Sequence, residues 1–236
     1  IGAAGRFDSL FGYHPLLALY ENVGTPQQPA FRLVSADYLN LRNHPAFTSA
    51  THLHPAAADL DGDGDQDLLL GNVDGAIFHF SNTAGPGNPA SYLLQTANFA
   101  GIDVGFHSAP QLVDLDADND FDLLVGNQQG YIHYYNNQGS ASAPNFVLVS
   151  DSFGHVKIND YTGLNTSNGA SQPFACDYDM DQDLDLLVGG IEGEVQVYEN
   201  ISLLPSASFV RAPNLLGRDF GGNASPAADS VPALVA

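Results

Sequence analysis

Residues 59–67 read Asp-Leu-Asp-Gly-Asp-Gly-Asp-Gln-Asp, and the apolar run 68–70 and then Gly71 follow directly. In an extended chain the five carboxylates would all point to one side, where their mutual repulsion would oppose folding. A loop that curls around a cation removes this repulsion. The apolar run after the loop is typical of a buried strand.

The spacing of the carboxylates suits Ca²⁺, which prefers six to eight oxygen ligands. Counting the first aspartate as loop position 1, positions 1, 3 and 5 would supply side-chain oxygens, position 7 a backbone carbonyl and position 9 a closing carboxylate. The pattern occurs three times, and each time three apolar residues and a glycine follow it. The predicted ligand residues are Asp59, Asp61, Asp63, Asp65 and Asp67; Asp114, Asp116, Asp118, Asp120 and Asp122; and Asp177, Asp179, Asp181, Asp183 and Asp185.

These loops differ from EF-hands, which need a bidentate Glu at position 12. Here position 12 is Leu70, Val125 or Val188. The loop must therefore close at position 9, and we expect a strand after it instead of a helix. Three bound Ca²⁺ ions would reduce the formal net charge from −21 to −15.

Composition limits the classes of partner. The chain has 236 residues, 44% of them hydrophobic, which predicts a folded protein with a sizeable core. With 27 acidic residues against six basic ones, nucleic acid and anionic membranes are unfavourable partners. No apolar run approaches the roughly 18 residues that span a bilayer, so no membrane insertion is expected. The chain begins at Ile1, and we interpret it as a processed product or a portion of a longer polypeptide.

An internal repeat organises the chain. An aromatic-x-Asn motif ends a strand at Asn22, Asn82, Asn137 and Asn200, with spacings of 60, 55 and 63 residues. Each repeat holds about four short strands and shows no helical period. We divide the chain into the outer part of an incomplete blade (1–34), three repeats with one acidic loop each (35–94, 95–149 and 150–212) and the start of a truncated blade (213–236).

A four-stranded unit of this length cannot bury both faces alone, which favours radial stacking in a β-propeller. A linear β-solenoid is the alternative, although its coils are usually shorter. The incomplete ends allow either a composite blade that closes a four-bladed ring or an arc cut from a larger ring. We favour the arc, because no aspartate cluster follows residue 212.

The motif Pro-x-x-x-Asp-x-Asp-x-Asp-x-Asp-x-Asp-Leu-Leu-x-Gly, which begins at Pro55, Pro110 and Pro173, resembles the FG-GAP and VCBS repeats of integrin-α-type propellers. The resemblance covers about residues 12–210. It implies a calcium-binding propeller, commonly of about seven blades, in a secreted or cell-surface protein. Such repeats occur in adhesins, in lectins and in modules of secreted bacterial proteins. The Asn- and Gly-rich style of this chain is similar to that of large exported surface proteins of Bacteroidetes-like bacteria.

The third loop departs most from the pattern. Position 6, where glycine eases a sharp turn, is Gly64, Asn119 or Gln182 in the three loops. Met180 also replaces the glycine found at position 4 of the first loop. We therefore expect the third loop to be the weakest or most distorted.

The residues outside the acidic loops give little support for enzymatic chemistry. The pair His52-x-His54 has no counterpart in the other repeats and no accompanying Glu or Cys, which favours a strand-edge pair over a transition-metal site. The single cysteine, Cys176, precedes a loop where Ala58 and Val113 stand elsewhere, which predicts a small buried side chain. Gly-x-Ser-x-Gly is absent. Outside the loops, nothing in the sequence brings two acids together among Asp103, Asp151, Asp160 and Glu192.

The linkers between repeats are better candidates for binding, because function usually resides in loops on a rigid scaffold. Residues 35–54, 95–109 and 151–172 carry aromatic residues that could contact a ligand or cap the cores between blades: Tyr38, Phe99, Phe106, His107, Phe153, His155 and Tyr161. The sequence predicts a non-enzymatic, calcium-binding, secreted or cell-surface module for protein interaction or adhesion, with an extracellular protein as its ligand. A lectin-like propeller with a glycan ligand and an accessory propeller of a larger secreted enzyme are the alternatives. Secretion or surface-attachment machinery is a further candidate partner.

Overall fold

The computed structural model describes residues 2–8, 12–47, 51–158, 169–191, 193, 195–201 and 209–211. These residues form antiparallel β-sheets joined by turns and short 3₁₀ segments. In the described part of the chain, no helix has the length and apolar character needed to cross a membrane. The 3₁₀ segments are Tyr38–Asn43, Pro45–Phe47, Phe99–Gly101 and Phe153–His155.

Each sheet is a series of hairpins in which every strand pairs with the next along the chain. The first sheet contains β1 (Gly2–Asp8), β2 (Gly12–Asn22) and β3 (Phe31–Ser35). The second contains β4 (His54–Ala58), β5 (Asp67–Gly71), β6 (Ile77–Asn82) and β7 (Tyr92–Thr96). The third contains β8 (Ala109–Val113), β9 (Asp122–Gly126), β10 (Ile132–Asn137) and β11 (Phe146–Ser150). The fourth contains β12 (Gln172–Cys176), β13 (Asp185–Gly189), β14 (Val195–Asn200) and β15 (Phe209–Arg211). The prediction of an all-β chain with four-stranded antiparallel sheets is confirmed.

The apolar runs after the first two acidic loops are buried on both faces. In β5, Leu68 and Leu70 belong to the core shared with the first sheet, which includes Leu17. Leu69 points the other way, into the core shared with Leu123 of the third sheet. Because successive side chains of a strand face opposite sides, a strand between two sheets must be apolar at every position. Each fully buried leucine contributes about 2 kcal/mol from the hydrophobic effect.

Neighbouring sheets approach closely at one repeated glycine. A Cβ on Gly71 would lie 2.1 Å from the backbone oxygen of Ser108, and one on Gly126 would lie 1.9 Å from that of Ser171. Each serine is fully buried and seals the next sheet onto the preceding one. The hydroxyl of Ser171 donates to the carbonyl of Tyr131 at 2.6 Å and accepts from the backbone N–H of Asn127 at 3.1 Å. Glycine ends these strands because a side chain would collide with the next sheet.

Candidate metal centres

The first aspartate of each loop organises the turn through backbone hydrogen bonds. Asp59 accepts from the N–H groups of Gly62 at 2.7 Å and Gly64 at 3.0 Å. In the second loop, Asp114 accepts from Asp118 and Asn119, both at 3.1 Å. These bonds bend the chain so that the alternate carboxylates face the inside of the loop. Asp177 accepts from Gln182 at 3.2 Å and gives the third loop the same turn.

The turn places loop positions 4 and 6 in the left-handed backbone region. The φ angles are +74° and +89° at Gly62 and Gly64, and +68° and +79° at Met180 and Gln182. The third loop therefore keeps the left-handed backbone of the first at both positions, where its residues other than glycine carry strain. A left-handed conformation costs roughly 1–2 kcal/mol for a residue other than glycine.

Three of the five aspartates in each loop have oxygen atoms that lie within 4.8 Å of one another. The groups are Asp59, Asp61 and Asp63; Asp114, Asp116 and Asp118; and Asp177, Asp179 and Asp185. The first two loops bring together positions 1, 3 and 5, as the spacing predicts. The third loop brings together positions 1, 3 and 9, and Asp181 stands outside its group.

The closing aspartates Asp67, Asp122 and Asp185 are each only 1% exposed. Each accepts a hydrogen bond from the backbone N–H of the asparagine that ends the third strand of its sheet, at 2.7–2.8 Å. Asp67 and Asp185 also accept from the residue at loop position 2, at 3.1 and 2.9 Å. Position 9 thus ties the loop to its sheet, and only in the third loop does it also join the convergent oxygens.

The carboxylates at position 7 provide the test of whether the loops fit a cation. In each loop one buried oxygen of this side chain, on Asp65, Asp120 and Asp183, has no hydrogen-bond partner among the described residues. The other oxygen of Asp65 accepts from the N–H of Gly85 at 2.7 Å. A buried acceptor without a partner is costly. The same orphan occurs in all three loops, and a bound cation would remove it.

The pKa values of the carboxylates at position 7 also indicate that these groups lack a counter-charge. Burial, and then the charge of Asp63, raise the pKa of Asp65. Burial, followed by the charges of Asp181, Asp185 and Asp179, raises the pKa of Asp183 to about 6. These carboxylates ionise reluctantly without a counter-charge, as expected of a site that a cation completes. The spacing alone assigned only the backbone carbonyl of position 7, because it could not show that the side chain turns inward.

Replacing Gln182 with glycine is expected to stabilise the protein by about 1 kcal/mol, because glycine adopts the left-handed conformation without strain. The measurement is denaturant unfolding of both proteins in excess Ca²⁺. The matched control is Gln182→Ala, which removes the side chain but keeps the Cβ. An equal gain in both variants would show that the long side chain, and not backbone strain, limits the third loop.

Replacing Asp183 with asparagine is expected to stabilise the Ca²⁺-free protein at pH 7.5. The pKa of Asp183 in the folded protein, about 6, lies above its ordinary value of 3.8, so the folded state binds the proton more tightly than the unfolded state does. Ionisation of this carboxylate therefore destabilises the fold above pH 6, and the destabilisation is lost as the pH falls. We expect the difference in Tm between the variant and the original protein to shrink as the pH falls from 6 and to vanish below about pH 4, where the unfolded carboxyl also holds its proton. A difference that stays constant with pH would contradict the shift.

Cys176 ends β12 and is partly rather than fully buried, unlike the prediction. Burial and the charges of Asp185 and Asp177 raise the pKa of its thiol. A thiol of raised pKa is a poor nucleophile, so the structural role expected for this residue fits its surroundings.

The linker aromatics divide between core and surface. Phe99 and Phe153 are buried in the cores between sheets, whereas Phe106 is 59% exposed. Tyr38 packs edge-on against Tyr92 with ring centres 6.2 Å apart. Tyr161 lies outside the described residues. These contacts make most of the described linker aromatics part of the packing.

A polar cavity of about 450 Å³ opens beside the third sheet. Asp103 and Asp151 line the same cavity, although no sequence pattern indicates that they lie together. Asp160 and Glu192 lie outside the described residues. The other lining residues are Val104, Asn127, Gln129, Tyr131, His133 and Ser152. Asn127 contacts the Nε2 atom of His133 at 3.1 Å, and burial lowers the pKa of this histidine. No periodic pattern in the sequence predicts this cavity, because three separate segments of the chain form it.

Comparison with known proteins adds no identification. No family model matches the chain. No curated protein matches it either.

Proposed function

We propose that the three acidic loops bind Ca²⁺ and that the ion stabilises the fold. The observation that carries the proposal is the orphaned oxygen of Asp65, Asp120 and Asp183, which recurs beside a cluster of convergent carboxylates in every loop. Hard oxygen ligands and a high local negative charge favour Ca²⁺ over transition metals. Because an unfolded chain does not assemble the site, the binding energy becomes folding energy.

We further propose that the sheets are blades of a β-propeller or of an arc of one. The first strands of successive sheets, β4, β8 and β12, lie beside one another, and the sheets share cores face to face. This is the packing that radial stacking requires. The resemblance of the loop motif to FG-GAP and VCBS repeats supports a secreted or cell-surface location of the protein.

The function we propose is non-enzymatic binding of an extracellular protein. The outer strands expose large apolar side chains: Phe31 on β3, Leu93 on β7 and Leu148 on β11 are 70%, 58% and 51% exposed. These strands also lie at the edge of their sheets, where unpaired backbone groups can accept a further strand. Secretion or surface-attachment machinery is one candidate for this surface.

Binding of a carbohydrate is the second candidate function, and the cavity beside the third sheet favours it. Carboxylate, amide and hydroxyl groups line this cavity together with Tyr131, a combination suited to a sugar. The equivalent residues in the second sheet, Ala76 and Phe78 in place of Tyr131 and His133, show that the fold does not need these polar groups.

A glycan array probed with the Ca²⁺-saturated chain separates the two functions. Saturable binding that free monosaccharide inhibits, and that Asp151→Asn abolishes, would replace the protein-binding proposal with the lectin. Otherwise we expect binding to the surface of the producing cells to be lost in Leu93→Lys but kept in Gln95→Lys. The second variant is a matched control, because Gln95 is also exposed and lies two residues further along β7. Equal binding by both variants would contradict the proposed edge surface.

A further inference from the structure

Three histidines lie together where the second sheet meets the third. His52 and His107 occupy the same place, two residues before the first strand of their sheets, and both have a left-handed backbone, with φ of +54° and +55°. His107 is thus the counterpart of His52 that the sequence comparison missed. The third member, His54, begins β4.

Backbone hydrogen bonds hold the two lead-in segments, which are the residues just before β4 and β8, on either side of one turn. The N–H of Val73 donates to the carbonyl of Thr51 at 2.9 Å, and the N–H of His107 donates to the carbonyl of Val73 at 3.0 Å. The same turn therefore fixes the backbone beside both histidines. The junction between the sheets therefore sets the separation of the two histidine backbones.

The ring geometry suits a shared metal ion. The ring centres of His52 and His107 lie 5.0 Å apart, with an angle of 66° between the ring planes. With Zn–N bonds of about 2.1 Å, two imidazoles on one tetrahedral ion have ring centres about 5 Å apart. Two of the three ligand positions therefore have the required spacing already.

We propose that His52, His54 and His107 bind a divalent transition-metal ion of the Zn²⁺ type. Imidazole nitrogen prefers such ions, whereas the acidic loops offer only oxygen and suit Ca²⁺. Among the described residues the three rings are not a preassembled set with all ligand atoms within 4.8 Å. Binding of the ion therefore requires the side chain of His52 to rotate; this side chain is exposed, and its Nδ1 atom contacts the neighbouring Thr51 hydroxyl at 3.1 Å.

The ion would join the lead-in of β4 to that of β8 and leave one coordination position for water. It would clamp two adjacent sheets at the end where their first strands begin. This site is independent of the acidic loops and of the proposed binding function.

The test is calorimetric titration of Zn²⁺ into the whole chain in excess Ca²⁺, which keeps the acidic loops filled. We expect one equivalent of Zn²⁺, and binding at least about tenfold weaker in His52→Asn and His107→Asn, since loss of even a residue that only supports a ligand costs 10–100-fold. Asparagine is used because it tolerates the left-handed backbone. The control is His155→Asn, at a residue that is also exposed and has a φ of +53°.

Cu²⁺ paramagnetic resonance provides a second readout. Hyperfine coupling to nitrogen that weakens in His107→Asn but not in His155→Asn would support the site, and thermal unfolding of each variant without Zn²⁺ verifies that it folds. The proposal is overturned if Zn²⁺ does not bind in excess Ca²⁺. Equal affinities in the His52, His107 and His155 variants would overturn it too.

Discussion

Replacing Asp122 with alanine is expected to lower the free energy of unfolding by about 4 kcal/mol, even in saturating Ca²⁺. This carboxylate is 1% exposed and accepts hydrogen bonds from the N–H of Asn137 at 2.7 Å, the hydroxyl of Tyr134 at 3.1 Å and the amide of Asn136 at 3.2 Å. Each buried donor left without a partner costs about 1–3 kcal/mol. The alanine variant leaves such donors behind and opens the end of the loop.

The measurement is urea unfolding of the variant and the original protein at equal Ca²⁺ concentration. The matched control is Asp74→Ala, which removes an exposed aspartate of the second sheet that lies outside the acidic loops, in the turn between β5 and β6. We expect the control to change stability by less than about 0.5 kcal/mol. A loss below about 1 kcal/mol in Asp122→Ala would mean that position 9 does not anchor the loop.

Replacing Gly126 with alanine is expected to destabilise the protein by about 3 kcal/mol or more. The new Cβ would lie 1.9 Å from the backbone oxygen of Ser171, a distance that no side-chain rotation relieves. The second and third strands of the sheet would remain intact, but the next sheet would have to move away. The prediction therefore tests the contact between sheets and not the strand itself.

The chain contains its own control for this substitution. Gly189 ends β13 as Gly126 ends β9, but a Cβ there would meet its nearest atom among the described residues, the Cβ of Gln172, at an ordinary 3.7 Å. We expect Gly189→Ala to change the free energy of unfolding by less than about 1 kcal/mol, as surface substitutions away from special features usually do. Similar losses in both variants would show that glycine is needed for the strand end and not for stacking of the sheets.

Local patterns predicted the strands and the loops well, because both depend on neighbouring residues. The apolar run 68–70 is a strand buried on both faces, as its composition indicates. The aromatic-x-Asn motif also has a local cause: the Oδ1 atom of Asn82 accepts from the N–H of Ser91 at 2.9 Å, and that of Asn137 accepts from Asn145 at 2.8 Å. The asparagine side chain holds the turn to the fourth strand, so the motif recurs at the same place in each sheet.

Features that depend on the fit between sheets were not predictable. The hydrogen bonds of the Ser108 and Ser171 hydroxyls connect residues that lie 36 and 44 positions apart in the chain. No periodicity in the sequence links either serine to the glycine that it covers. The inward turn of the position 7 carboxylates depends on the packing around each loop. The association of His52 with His107 likewise follows from the junction of two sheets, which linear spacing does not reveal.

The central claim is that the acidic loops bind Ca²⁺ and that this binding holds the sheets together. The most direct measurement is calorimetric titration of Ca²⁺ into chelator-treated protein, with thermal unfolding recorded before and after. We predict about three equivalents of Ca²⁺, one for each cluster of convergent oxygens, and a Tm that rises with Ca²⁺ concentration. No binding and an unchanged Tm would contradict the account.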